Sequence, residues 1–160
     1  MRYFISGHRD ITNKEFQRYY AKAITDAVLK EPNTAEFVVG DYYGVDEMAQ
    51  AYLAKLKETR PNIKVTVYHM FDAPRKNFYK FPTVGGFVND HTRDCAMTLN
   101  SDYDIAWVRS GKHTSGTAQN ILRRKLMTIM YQYDLEYSQQ LVDSLQEILK
   151  HHPNLTKDVE

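Results

Sequence analysis

Short apolar runs alternate with amphipathic stretches along most of the chain. The opening Met1-Arg2-Tyr3-Phe4-Ile5-Ser6 is aromatic and aliphatic, stops at Gly7, and predicts a strand. Thr12 followed by Glu15 is a capping-box pattern and predicts a helix from Asn13. Phe16, Tyr19/Tyr20, Ala23/Ile24 and Ala27/Val28 continue it at helical spacing, and Pro32-Asn33 ends it. Glu36-Phe37-Val38-Val39 predicts a second strand, cut off by Gly40. Val45, Met48/Ala49, Tyr52/Leu53 and Leu56 define a second amphipathic helix, closed by Arg60-Pro61. Lys64 to Tyr68 predicts a third strand and Ile105 to Val108 a fourth. Between them runs an irregular stretch, 71–89, holding Pro74, Pro82, Gly85 and Gly86, and then a helix capped by Asp90 and ending at Leu99. Ser115-Gly116-Thr117 opens a helix to about Lys125. Met127 to Tyr131 reads as a fifth strand and Leu135 to Leu149 as a closing helix, with a loosely held tail over 151–160.

Apolar strands with little alternation, separated by helical stretches, argue for a parallel sheet covered on both faces. The expected fold class is α/β: a Rossmann-like three-layer sandwich with a central, mainly parallel sheet, forming one domain over 1–150. The length of 160 residues suits a single core. Twenty-one Lys+Arg against 20 Asp+Glu give a net charge of +1, which argues against nucleic acid held by bulk charge and leaves room for a local basic pocket. No apolar run reaches a membrane span, and no signal-peptide core stands at the N-terminus. The single cysteine, Cys95, excludes an intramolecular disulfide, so the expectation is a cytoplasmic domain without membrane contact.

In open α/β sheets ligands bind beyond the carboxyl ends of the strands, so the turns there carry the chemistry. They read Ser6-Gly7-His8-Arg9-Asp10, then Gly40-Asp41-Tyr42-Tyr43-Gly44-Val45-Asp46, then Arg109-Ser110-Gly111-Lys112-His113-Thr114-Ser115-Gly116-Thr117. Each joins glycine to polar or charged side chains, and the last leads into a helix whose free N–H groups favour phosphate. His8 is a general base, a phosphate donor or a surface-turn histidine. Arg9 pairs with ligand phosphate or with Asp10, and Asp41 meets a ribose hydroxyl or caps the next helix. Lys112 and His113 close over phosphate or simply face solvent.

Ser6-Gly7-His8-Arg9, Gly40-Asp41-x-x-Gly44-Val45-Asp46, Arg93-x-x-x-Met97 and Ser115-Gly116-Thr117 together resemble the SLOG superfamily in order and spacing, over roughly residues 1–131. The resemblance is closest to its small YspA-like members, and the group also includes the DprA/Smf proteins and the LOG nucleotide phosphoribohydrolases. It implies a Rossmann-like fold and a nucleotide or nucleotide-derived ligand, including ADP-ribose-type signals. By the same resemblance Arg93 contacts phosphate or sugar, Met97 belongs to the same segment, and Asp46 orders its loop or serves chemistry. LOG enzymes cleave a glycosidic bond with the help of a glutamate. Here Asn120 holds that position, and a neutral amide cannot move a proton at neutral pH. Asp10, Asp41 and Asp46 lie on the same edge as possible replacements.

Three functions follow as expectations. The first is binding, sensing or sequestering a nucleoside monophosphate or ADP-ribose-like ligand. The second is N-glycosidic hydrolysis or transfer on a nucleoside 5'-monophosphate, with Asp41, Asp46 or His8 as catalytic candidates, and the third is DprA/Smf-like DNA handling. No cofactor is called for. No metal is expected either, since the histidines lack ligand spacing. Cys95 reads as a small hydrophobe inside a helix. The aromatic cluster Tyr68, Phe71, Phe78, Tyr79, Phe81 and Phe87, interleaved with Arg75, Lys76 and Lys80, stacks a base, forms a satellite core or meets a subunit. Twelve tyrosines suit a homo-oligomer interface.

Overall fold

The computed structural model describes residues 1–152. Its elements are β1 (Arg2–Ser6), α1 (Asn13–Phe16), a π-helical turn (Gln17–Ala21), α2 (Lys22–Lys30), β2 (Glu36–Val39), α3 (Val45–Thr59), β3 (Lys64–Met70), β4 (Thr83–Phe87), α4 (Asp90–Leu99), β5 (Tyr103–Ala106) and α5 (Gly116–His151). The chain divides into two compact units, Met1–Arg124 and Lys125–Glu160. The first holds the whole sheet. The second, as far as it is described, is the continuation of α5 to His151.

The five strands lie in the order β4-β3-β2-β1-β5, and every pairing is parallel. Alternate residues serve opposite faces, as the pleat requires. Tyr3, Ile5, Phe37, Val39, Val65 and Val67 point into a core with Phe16, Tyr20, Ile24, Val45, Ala49 and Leu53 from α1 to α3. Phe4, Val38 and Tyr68 point the other way, onto Met97 of α4. This is an α/β Rossmann-like sandwich, and burial on both faces is why the strands read as continuous apolar runs.

The capping box forms as expected: Thr12 Oγ1 accepts from Glu15 N–H (3.2 Å), and the Glu15 carboxylate accepts from Thr12 N–H (2.9 Å). Four expectations change. The irregular stretch 71–89 contains β4, an exposed edge strand whose glycines hide it from a pattern reading. Asn89, not Asp90, caps α4, because its side chain accepts from Thr92 N–H (2.8 Å). The fourth apolar strand, β5, lies at Tyr103–Ala106, two residues earlier than its apolar run, since it pairs with Tyr3 to Ser6 in register. Met127–Tyr131 is no strand: it and the closing helix are parts of α5, where apolar residues occupy every side of the helix and erase its period. The tail lies outside the described residues from Pro153 onward. Among the described residues no helix is long and apolar enough to cross a membrane.

The strand order reverses between β1 and β5, and one side chain ties that point together. Tyr20 is fully buried; its hydroxyl donates to Ser6 O (2.9 Å) and accepts from Trp107 N–H (3.0 Å). Burial pushes the phenol up to about 12, so it stays a neutral bridge. Tyr20→Phe leaves a buried carbonyl and a half-buried N–H short of a partner. It should cost about 1–3 kcal/mol in urea unfolding; a loss within error of zero would show that the bridge is replaced by solvent.

Candidate functional site

Beyond the carboxyl ends of β1 and β5, at the switch point, lies a cavity of about 410 Å³. Phe4 and Ser6 to Asp10 contribute from β1 and its turn, Tyr42, Tyr43 and Asp46 from the β2–α3 loop, and Asp90, Arg93, Asp94 and Met97 from α4. Lys112, Ser115, Gly116, Thr117 and Asn120 complete it from the β5–α5 segment. All belong to the first unit. Of the residues singled out from the sequence, Ser6, Gly7, His8, Arg9, Asp46, Arg93, Met97, Ser115, Gly116 and Thr117 meet here. Gly40, Asp41 and Gly44 do not line the cavity; they build its walls.

Asp41 is fully buried and fixes two arginines. Its Oδ1 accepts from Arg93 (2.8 Å) and Arg75 (2.7 Å), and its Oδ2 from the Arg75 backbone N–H (2.8 Å) and Nε (3.1 Å). Burial opposes the charge, but Arg75 and Arg93 outweigh it and hold the carboxyl below its ordinary value. Arg93 also meets Asp90 (3.0 Å) and Asp94 (2.9 Å), so three carboxylates already engage the guanidinium that the family resemblance assigns to a ligand. At Gly40 a Cβ would overlap the Asp46 carboxylate and press on the Arg93 guanidinium, which explains the glycine. Gly44 starts α3 at φ +76°, tight against the backbone of His8 and Arg9.

Asp46, at the start of α3, accepts from Tyr42 N–H (3.1 Å). Burial pushes its carboxyl up to about 6 against the opposing pull of Arg93, within reach of acid–base work at neutral pH. His8 is buried rather than a surface-turn residue. Its Nε2 accepts from Arg109 N–H (2.9 Å), and its ring stands edge-on to Trp107. Burial first, then Arg109, lowers its pKa, so the ring is neutral with the proton on Nδ1: a donor, not a base. Arg109 itself straps the β5–α5 turn to Asp10 (3.0 Å) and Glu15 (3.0 Å).

The β5–α5 side is different in character. Ser115 Oγ accepts from Ala118 N–H (3.2 Å) and Ser115 O from Gln119 N–H (3.0 Å), while the N–H groups of Gly116 and Thr117 have no protein acceptor among the described residues. Among the described residues the Arg9 and Lys112 side chains make no ion pair, and Ser6, buried and lining the same cavity, has a hydroxyl with no hydrogen-bond partner. Such an orphan is uncommon in a folded protein. Tyr43, 53% exposed, and Tyr42 stand edge to face at the rim, 5.2 Å apart.

The sequence reading passes over Tyr42, Tyr43, Asp90 and Asp94 as site residues. Asp90, Arg93 and Asp94 stand at i, i+3 and i+4 on one helix face, a signal that was present. Arg75, 34 residues from Asp41, has none. The aromatic cluster of 68–87 lies elsewhere. Tyr68 stacks on Phe87 over the second core, Phe81 joins the main core, and Phe71 and Phe78 are exposed away from the cavity lining. Cys95 is half-buried, with Sγ 3.7 Å from His91 Nε2. Among the described residues no group of three or more His, Cys, Asp or Glu stands ready to hold a metal ion. Compared with known proteins, the chain matches no family model, no curated sequence and no solved structure.

Asp46 binds its proton more tightly folded than unfolded. Its contribution to stability is therefore complete below the unfolded value near 4 and is lost as the pH rises through about 6. Relative to Asp46→Asn, the native chain should lose about 2 kcal/mol between pH 4 and 7, read from urea midpoints at each pH. Parallel pH profiles would place the carboxyl in water.

Proposed function

We propose that the chain binds a small nucleotide-derived anion, a nucleoside monophosphate or an ADP-ribose-like molecule, and so senses or sequesters it. The observation that carries this is an uncommitted donor set on one cavity: the partnerless Ser6 hydroxyl, the Gly116 and Thr117 amides, Lys112 and Arg9. A phosphate dianion takes up these groups together, aided by the dipole of α5. Asp46 and Asp94 offer acceptors for sugar hydroxyls, and Tyr43 offers an exposed ring for a base. A volume of about 410 Å³ suits a ligand of this size. The net charge of +1 fits a small anion better than a polymer. The resemblance to the SLOG superfamily points the same way.

A second reading, N-glycosidic cleavage, rests on Asp46. A carboxyl poised at about 6 can hand a proton to a departing base. Asn120 plays no such part: its amide donates to Asp94 (3.2 Å) and accepts from Arg123 (2.8 Å).

Thermal shift with a panel of nucleosides, their 5'-monophosphates and ADP-ribose, paired with an assay for free base, tests both readings. At about 100 times Kd a true ligand adds about 2.7 kcal/mol, or several degrees in Tm. The monophosphate should outperform its nucleoside, and Lys112→Ala should weaken it about tenfold. No shift from any phosphorylated member at millimolar concentration would overturn the binding reading. Base release abolished by Asp46→Asn, with the thermal shift retained, supports the enzyme; ligand recovered intact removes it and leaves the binder.

A further inference from the structure

The second unit poses a separate problem. Over 125–148 of α5, the side chains described are exposed almost without interruption. A lone helix with large apolar residues facing water is marginal, because helices in proteins draw most of their stability from packing. Seven of these residues are spaced symmetrically in a stripe along one side of the helix, an arc they share with Met127, Met130, Asp134, Gln140, Ser144 and Glu147. Tyr137 is its centre. Tyr133 and Leu141 lie four residues to either side, Ile129 and Leu145 eight, and Leu126 and Ile148 eleven. At about 100° per residue all seven fall within about 80° of Tyr137 around the helix, and they are 47–68% exposed.

A palindromic spacing is what an isologous contact needs, since the same patch must serve both partners across a two-fold axis. We infer that two copies of the chain pair through this stripe as antiparallel helices, with the axis passing at Tyr137. Leu126 of one copy then lies level with Ile148 of the other, Ile129 with Leu145, and Tyr133 with Leu141. Covering seven such side chains buries about 700 Å² per copy and about 1,400 Å² in all, within the range of stable interfaces. Charge agrees with the direction. Lys125 lies twelve residues before Tyr137 and Glu147 ten after it, so an antiparallel pair brings them together. A parallel pair would instead leave Lys125 of one copy about 33 Å along the axis from Glu147 of the other. The occupant of the stripe is a second copy of this chain.

Sedimentation velocity of the full chain at micromolar to tens of micromolar concentrations should show a species of twice the chain mass. Tyr137→Glu, which places two carboxylates on the axis, should raise the dimer dissociation constant at least tenfold with helical circular dichroism retained, whereas Gln139→Glu, on the opposite side of the helix, should not. Orientation is read by oxidative cross-linking in a Cys95→Ser background. Leu126→Cys mixed with Ile148→Cys should link, and neither should link to itself, because a separation of about 33 Å along the axis keeps like positions apart. A monomer at tens of micromolar, dimerisation that survives Tyr137→Glu, or self-linking of Leu126→Cys would each overturn the pairing.

Discussion

A single carboxylate, that of Asp41 just past the end of β2, anchors the edge of the sheet that carries the cavity. It sits without solvent contact, so it must be paired, and it takes four hydrogen bonds from Arg75 and Arg93. Through Arg75 it holds the segment that carries the chain from β3 to β4. Through Arg93 it holds α4 against the sheet. Arg93 in turn fixes Asp90 and Asp94, and its charge limits how far burial can raise Asp46. The wall of the cavity follows from satisfying one buried charge.

The opposite wall is arranged by subtraction. Arg109 binds Asp10 and Glu15, Tyr20 bridges β1 to the chain after β5, and His8 accepts from the Arg109 backbone. With these groups committed to each other, the donors left over are the Ser6 hydroxyl, the first amides of α5, Lys112 and Arg9. They fall where the strand order reverses, the position at which an open parallel sheet leaves a crevice. One side of the cavity is thus saturated with internal ion pairs and the other is short of acceptors. The proposed anion would answer that imbalance.

The sheet was legible because its strands are short apolar runs that stop at glycine, and because the capping box at Thr12 and Glu15 announces the first helix. The turns after β1, β2 and β5 were legible for the same reason, which is why most of the chosen residues meet at one cavity. Asp41 was misplaced in role, since its burial depends on Arg75 and Arg93, 34 and 52 residues away, and no local pattern records such a pairing. The glycines of β4 hid an edge strand whose side chains are almost all exposed. In α5 the apolar residues serve more than one side of the helix, so Met127–Tyr131 imitates a strand; the stripe centred on Tyr137 emerges only once the segment is known to be helical.

In the proposed binding mode the free amides at the start of α5 and the Ser6 hydroxyl hold a phosphate. Backbone amide resonances followed during titration with a nucleoside 5'-monophosphate address it directly. Binding at this edge requires the largest saturable shifts at Gly116 and Thr117, with smaller ones at Ser6 and Gly7. Saturable shifts confined to another part of the sheet, or none at these amides, would contradict it.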